Sequence, residues 1–185
     1  RKLSLAGANV LMTRTKDRDV SLGGRASMAI RHHSDLFVSI HHNSSANDPS
    51  IDLPIVYFYG SGDMNPASVD FAKILIDSMR AEMAFQQQQA GAVYSDHLIY
   101  SSGTSGLRNP IDDMPGVIGE GGFFTNPSGE GRLKSKAYNK LEAEIYYKAI
   151  LEYFDRGTPS AICLLPDSLK YVDLLRSIEF ELDDG

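Results

Sequence analysis

The chain has 185 residues, a mass of 20.3 kDa and a formal net charge of −6. An apolar fraction of 42% is ordinary for a folded domain and excludes a disordered or collagen-like chain. The negative charge argues against a nucleic-acid partner. No apolar run approaches the roughly 20 residues of a membrane helix. The single cysteine, Cys163, excludes an internal disulfide and a cysteine-based zinc cluster.

Short apolar runs alternate with amphipathic segments along most of the chain. The apolar runs predict strands at residues 10–14, 36–41, 54–60, 97–100 and 116–119. Apolar residues at helical spacing predict helices over residues 22–33, 67–83 and 137–154. This alternation predicts an α/β fold with a twisted, mainly parallel central sheet flanked by helices on both faces. The run at 36–41 is apolar at nearly every position, which is typical of a strand covered on both sides.

Residues 1–156 are predicted to form one domain, and residues 157–185 an appendage or the start of another module. Gly157 and Pro159 interrupt the last helical pattern. The alternating segment 178–182 predicts an edge strand or the first strand of a following module. The chain opens at Arg1 with a pattern typical of a helix end and a turn, so we expect it to begin inside a domain. No signal peptide is visible.

The first candidate functional residues lie at the end of the strand at 36–41. Residues 39–43 read Ser-Ile-His-His-Asn. In open α/β sheets, ligands bind at the carboxyl ends of strands. A neutral imidazole at such an edge is well placed to bind zinc. The alternative is an ordinary loop or core histidine without a metal.

Glu120 is the second candidate, and it follows the apolar run at 116–119 within a glycine-rich segment. A carboxylate at a strand tip, flanked by glycines that let a substrate backbone approach, suits a general base. Burial beside Phe123 and Phe124 would raise the pKa of this carboxyl group. The alternative is a glutamate in a glycine-rich turn that pairs with a surface cation.

The remaining charged and imidazole groups favour structural roles. Arg25, in the first turn of the helix at 22–33, is expected to pair with Asp17 or Asp19. His97 has two interpretations: it lines a cleft, or it is a structural residue at the end of a strand.

Four sequence blocks occur in the order found in the zinc-dependent N-acetylmuramoyl-L-alanine amidases of the Amidase_3 type, which the chain resembles from about residue 3 to 154. The blocks are Val10-Leu11-Met12-Thr13-Arg14, the set Asp17, Leu22, Arg25 and Ala29, Ser39-Ile40-His41-His42-Asn43-Ser44, and Val117 to Pro127. The resemblance implies the amidase/phosphorylase-like form of the α/β fold.

The resemblance also implies a Zn²⁺ site made of two histidines and a glutamate, with a position left for water. The second of these histidines falls on His41, and the catalytic glutamate of the family falls on Glu120. His42 stands where the family usually has a small residue, so we do not assign it as a ligand. The other two ligands, the first strand and the first helix are expected upstream of Arg1.

The function implied is zinc-dependent hydrolysis of the amide between N-acetylmuramic acid and the L-alanine of the peptidoglycan stem peptide. Asn43 and Asn126 are expected to bind substrate, and the loops at 43–53 and 101–113 to border its groove. The alternatives are a non-catalytic cell-wall-binding or regulatory domain and a zinc hydrolase of another amide. We expect a monomer in the periplasm or outside the cell, with peptidoglycan as its partner and no transmembrane segment.

Overall fold

The computed structural model describes residues 1–60, 65–85, 91–108, 110 and 114–157, together with the backbone of 160–164 and 179–183. The helices are α1 (Lys2–Leu5), α2 (Leu22–Arg31), α3 (Pro66–Glu82), α4 (Ser105–Arg108), α5 (Pro127–Leu133) and α6 (Lys136–Asp155). The strands are β1 (Phe37–Asn43), β2 (Ile55–Phe58), β3 (Ala92–Ser95), β4 (Gly116–Phe123), β5 (Ser160–Leu164) and β6 (Glu179–Asp183).

The central sheet is mixed and has the strand order β1-β4-β2-β3. Strands β1 and β4 run parallel, as do β2 and β3, whereas β2 and β4 are antiparallel. Helices α3 and α6 cover one face, and α2 and α4 pack on the other. The predicted α/β fold with helices on both faces is therefore confirmed, with one antiparallel pairing at the centre of the sheet.

The main hydrophobic core fills the space between the sheet and the helices α3 and α6. Its members share complete or nearly complete burial and include Val56, Phe71, Leu75, Met79, Val117, Ile145, Ala149 and Tyr153. Each long helix begins with a side-chain cap: Asn65 accepts from the Ser68 amide, and Ser135 accepts from the Tyr138 amide. The predicted helices at 67–83 and 137–154 are confirmed.

A smaller core on the opposite face joins α2 and α4 to the sheet. Ala29 of α2 and Leu107 of α4 pack with Phe37 and Met114. Helix α2 begins at the predicted place because the Ser21 side chain accepts from the Gly24 amide. These contacts hold α2 against the face of the sheet on which the candidate site lies.

The strand predicted at 10–14 is wrong. Val10, Leu11 and Met12 are exposed, and no strand forms there. A strand needs a ladder partner for its backbone groups, and none of the described residues pairs with this segment. Local apolar character alone does not provide that partner.

Two further strand predictions also need correction. Ile40 is 57% exposed, so the run at 36–41 is not covered on both sides along its whole length. The strand predicted at 97–100 is instead displaced to β3, and a 3-10 turn at Asp96–Leu98 follows it.

Beyond α6, strands β5 and β6 pair antiparallel in a separate two-stranded sheet. This pairing confirms the strand predicted at 178–182, while the division of the chain at residue 157 stays a prediction. Among the residues that the structure describes, no helix is both long enough and apolar enough to cross a membrane.

Candidate functional site

His41 and Glu120 are direct neighbours on adjacent strands. In the parallel register of β1 and β4, the Cα partner of His41 is Glu120. Paired residues project to the same face of a sheet, so the imidazole and the carboxyl group lie side by side. Strand β4 continues to Phe123, so Glu120 lies within the strand and not at its tip as predicted. The structure thus brings together the two principal candidates of the sequence.

The carboxyl group of Glu120 is partly buried and poorly satisfied. Burial raises its pKa from 4.5 to about 7, and the nearby charge of His42 opposes this shift. Its Oε2 atom is buried and has no hydrogen-bond partner among the described residues. The predicted rise in the pKa is confirmed. A buried, unpartnered oxygen is costly unless a proton, water or ligand satisfies it, so Glu120 stays a candidate functional residue.

His41 has the opposite electrostatic tendency. Partial desolvation of its ring, together with the positive charges of Arg25 and His42, lowers its pKa. The ring therefore favours the neutral form, whose free nitrogen lone pair is available to a metal. Arg25 donates its Nε–H to the Val20 carbonyl at 3.0 Å.

The predicted pairing of Arg25 with an aspartate is wrong. Neither Asp17 nor Asp19 makes an ion pair with it in this part of the described chain. The Arg25 guanidinium acts on His41 instead, through its charge.

The described residues could supply only part of the zinc site that was predicted. No group of three His, Cys, Asp or Glu side chains among them is arranged to hold a metal ion. His41 offers one neutral nitrogen ligand, and Glu120 offers an unpartnered oxygen beside it. Catalytic zinc is held by three protein ligands and keeps one open position. His41 therefore fits one ligand position of such a site, and Glu120 fits the position of an acid–base group beside it.

His42 projects to the other face of the sheet, where it meets α6. Its Nε2 atom lies 3.1 Å from both carboxylate oxygens of Glu142. The side chain of Glu142 is 8% exposed and that of His42 is 30% exposed. The hydrogen bond to Glu142 raises the pKa of His42. His42 is thus engaged away from His41 and Glu120.

Two glycines flank Glu120, and both face α6. A Cβ atom on Gly119 would lie 2.2 Å from the Tyr146 hydroxyl, and one on Gly121 would lie 2.2 Å from Glu142 Oε1. Successive residues of a strand point to opposite faces, so these positions face away from the Glu120 side chain. The prediction that they admit a substrate backbone is therefore wrong. They admit side chains of α6.

The loop at 44–54 is held against the end of β4 and the start of α5. Asn126 is buried and caps α5 by accepting from the Gly129 amide at 2.9 Å. Its Nδ2 donates to the Pro49 carbonyl at 3.0 Å. The substrate-binding role of Asn126 stays a prediction, because both ends of its amide contact the protein.

A buried ion pair secures the same loop. Arg132 of α5 donates through Nη2 to both carboxylate oxygens of Asp52 at 2.6 Å. Asp52 is completely buried, and the Arg132 guanidinium also lies over the rings of Phe85 and Tyr138.

Asn43, the other predicted substrate-binding residue, lies at the end of β1 near Tyr57, with its Nδ2 at 3.5 Å from the Tyr57 hydroxyl.

The segment that follows β3 lies at the other end of β4. Phe58 pairs with both Val117 and Ser95, so the end of β3 is level with the start of β4. There the buried Asp96 accepts from the amide and hydroxyl of Thr104 at 2.6 and 2.8 Å. The His97 ring contacts Tyr59 edge-to-face, with 5.2 Å between ring centroids. His97 therefore lies away from Glu120.

Sequence reasoning did not identify Glu142, Tyr146, Asp52 or Arg132. The apolar spacing that predicts the helix at 137–154 does not single out Glu142 and Tyr146, although both are buried in α6. An acidic residue at a core-facing position of a helix was the available signal, since buried carboxylates require a partner.

A neutral imidazole beside a carboxyl group of raised pKa, on adjacent strands of a mixed α/β sheet, is the arrangement expected of a site for acid–base chemistry. The N-acetylmuramoyl-L-alanine amidase family matches residues 1–152, and the chain therefore belongs to this family.

Individual relatives are similar at a distance. The chain is 29% identical over 158 residues to the uncharacterized protein YqiI of Bacillus subtilis (strain 168), covering 84% of this chain and 68% of that protein. It is 26% identical over 153 residues to the N-acetylmuramoyl-L-alanine amidase LytC of the same organism, covering 83% of this chain and 28% of LytC. The chain thus spans under a third of LytC.

A solved structure has the same fold. The N-acetylmuramoyl-L-alanine amidase AmiC2 of Nostoc punctiforme superposes with a TM-score of 0.66 at 27% sequence identity. The match covers 84% of this chain and 77% of AmiC2.

Proposed function

We propose that this protein is a zinc-dependent amidase that cleaves the bond between N-acetylmuramic acid and the L-alanine of the peptidoglycan stem peptide. One observation carries the proposal: the partly buried carboxyl group of Glu120, with a pKa of about 7, lies beside His41 on the neighbouring strand. Membership of the amidase family supports the substrate class.

Glu120 is the proposed general base and general acid. A carboxyl group with a pKa near 7 takes up and releases protons readily at neutral pH. Its unpartnered Oε2 is available to accept a proton from the attacking water. The same oxygen then delivers this proton to the leaving nitrogen of L-alanine, so that a neutral amine departs.

His41 is the proposed zinc ligand within the described residues, and the remaining histidine and glutamate ligands would come from outside them. When bound in such a site, Zn²⁺ polarises a carbonyl group and lowers the pKa of water. Burial of the His41 ring lowers its pKa, and the charge of Arg25 lowers it further, so both favour the neutral imidazole. The ring can then coordinate without first losing a proton.

Asn43 is proposed to contact the substrate, since it ends β1 two residues beyond His41. The loop at 44–54 is proposed to form a wall of the groove. Its attachment through Asn126, and through the Asp52–Arg132 pair, supports a wall of fixed shape. Because peptidoglycan lies outside the cytoplasmic membrane, we propose a periplasmic or extracellular location.

The test is product analysis with the full-length protein loaded with zinc. Mass spectrometry of a digested disaccharide peptide should show a free lactyl carboxyl group and a peptide that begins with L-alanine. A chelator should abolish the cleavage, and added zinc should restore it. If a zinc-loaded protein binds peptidoglycan but cleaves nothing, the non-catalytic alternative is correct.

A further inference from the structure

We propose that Glu142 is a positioning residue for Glu120, acting with His42 and Tyr146 as a brace on the opposite face of the sheet. The inference rests on the proposed function, because it assigns Glu142 a role in the reaction of Glu120. The word brace denotes these three side chains, Glu142, His42 and Tyr146.

The brace contacts β4 on both sides of Glu120. Tyr146 fills the space over Gly119, and its hydroxyl donates to the Gly119 carbonyl at 3.0 Å. Glu142 fills the space over Gly121. Residues four apart on a helix share one side, so α6 presents both groups together. The backbone that carries Glu120 is therefore held at the residue before it and at the residue after it.

The brace also holds β1 next to His41. His42 follows His41 directly, and its ring bonds to both oxygens of the Glu142 carboxylate at 3.1 Å. One buried carboxylate thus touches the residue after His41 and lies against the residue after Glu120. This single group fixes the relative position of the two strands at the candidate site.

The strand pairing is irregular at this point, which makes a fixed geometry valuable. His41 pairs with Glu120 but Asn43 pairs with Phe123, so β4 has one extra residue in this interval. Gly122 within it has a φ of +109°. A bulge of this kind re-aims the neighbouring side chains and weakens the ladder. The brace lies at the bulge and replaces the constraint that the ladder loses.

Stability alone does not account for the brace. Apolar side chains at both positions 42 and 142 would suit the buried side of α6, because replacing a whole buried ion pair by apolar groups is often neutral or stabilising. The feature that an apolar residue cannot reproduce is the hydrogen-bonded link between α6 and His42. We therefore expect its loss to affect the geometry of Glu120 more than the fold.

The experiment compares Glu142→Leu and Glu142→Gln in the zinc-loaded full-length protein. Leucine keeps the bulk and removes the hydrogen bonds, whereas glutamine keeps an acceptor for His42. With a disaccharide peptide as substrate, we expect Glu142→Leu to lower kcat about tenfold and to leave KM within about twofold. Glu142→Gln should retain kcat within about twofold. Rates are divided by the concentration of folded, zinc-containing protein, so that a loss of folded protein is not counted as a loss of kcat.

Glu82→Gln is the matched control, because it removes the charge of Glu82 of α3 from its exposed contact with Lys148 of α6. It should leave kcat unchanged. Tyr146→Phe is the second brace variant, which removes the bond to Gly119 without touching a charge. Tyr146→Phe should lower kcat by about threefold. This variant provides the test of the brace if Glu142→Leu fails to fold.

Wild-type kcat in Glu142→Leu, or in Tyr146→Phe when the former does not fold, would overturn the inference. Amide hydrogen exchange over residues 118–123 separates this failure from failure of the proposed function. If the wild-type protein cleaves no muropeptide, the proposed function fails. Faster exchange in Glu142→Leu than in Glu82→Gln would still support the brace, and equal exchange would overturn it.

Discussion

Two histidine–glutamate pairs lie on opposite faces of the central sheet, and they differ in one respect. His42 of β1 and Glu142 of α6 are bonded to each other at 3.1 Å, with the Glu142 carboxylate buried against the sheet. His41 and Glu120 are strand neighbours, yet Glu120 Oε2 has no partner among the residues described. The first pair is satisfied within the protein. The second leaves its nitrogen and its oxygen available.

The difference shows that the same residue types serve structure or chemistry according to what satisfies them. Hydrogen bonding to Glu142 raises the pKa of His42, whereas desolvation and Arg25 lower the pKa of His41. A charged, bonded imidazole is a poor metal ligand, and a neutral one is a good one. We therefore propose that the His41–Glu120 pair carries the chemistry.

The largest effect on activity is expected when His41 is removed from the His41–Glu120 pair. His41→Ala should remove zinc from the protein and lower muropeptide hydrolysis at least about 100-fold, since even outer-shell losses at metal sites cost up to this much. His97→Ala is the control, because its exposed ring lies at the other end of the sheet. Metal analysis and initial rates provide the measurement. Full zinc content in His41→Ala would contradict the assignment.

Breaking the bonded pair should affect stability. His42→Ala leaves the buried Glu142 carboxylate without its partner. Because the His42 side chain is 30% exposed, we expect the free energy of unfolding to fall by about 2–3 kcal/mol, somewhat less than for a fully buried pair. The double variant His42→Ala/Glu142→Leu should recover most of this loss. Urea unfolding measures both. Lys148→Ala, which breaks an exposed pair, should cost less than about 1 kcal/mol. An equal cost for His42→Ala and Lys148→Ala would refute the contrast.

The two pairs should also be coupled electrostatically, because the charge of His42 acts on the pKa of Glu120. Glu120 accepts a proton only when ionised, so kcat/KM should fall about tenfold per pH unit below its pKa of about 7. The positive charge of His42 lowers the pKa of Glu120. His42→Gln should therefore move the acid limb to higher pH. A flat profile between about pH 5 and pH 8 would argue against Glu120 as the base.

The smallest effect is a change in stability at high pH. The folded-state pKa of Glu120, about 7, exceeds its ordinary value of 4.5, so the folded state binds this proton more tightly than the unfolded state. Stability from this group therefore falls as pH rises from 4.5 to 7, and the penalty is complete above 7.

Glu120→Gln removes that penalty. Solvent reaches part of the carboxyl group and reduces the penalty to about 1 kcal/mol. In metal-free protein at about pH 8, we therefore expect the Tm of Glu120→Gln to exceed the wild-type value by roughly 2–4 °C, the shift that about 1 kcal/mol gives in a domain of this size. Near pH 4 the two proteins should unfold together. Thermal unfolding followed by circular dichroism at both pH values is the measurement. A lower Tm for Glu120→Gln at pH 8 would show that the carboxylate is stabilised in the fold.

Local sequence patterns predicted most of the elements that build the sheet. The helices α2, α3 and α6 follow from apolar spacing and caps, and β2 and β4 from their apolar runs. The absence of a strand at residues 10–14 could not be predicted in this way, because strand pairing depends on a partner that local composition does not reveal.

The candidate site was predictable only in part. The sequence indicated His41 and Glu120 singly, but their adjacency depends on the register of β1 and β4. Glu142 and the bulge beside Glu120 were not predictable from local patterns, because both arise from contacts between distant segments. The glycines that flank Glu120 are evident in the sequence, but only the structure shows that side chains of α6 fill the space beside them.

The most direct test compares kcat for Glu120→Gln and Glu142→Gln in the zinc-loaded full-length protein with a disaccharide peptide substrate. Both variants remove one carboxylate from one of the two pairs and keep its size. If Glu120 carries the proton transfer, Glu120→Gln should lose about 10²–10⁴ in kcat, while Glu142→Gln stays within about twofold of wild type. Equal losses in the two variants, or a larger loss in Glu142→Gln, would contradict the assignment of chemistry to the His41–Glu120 pair.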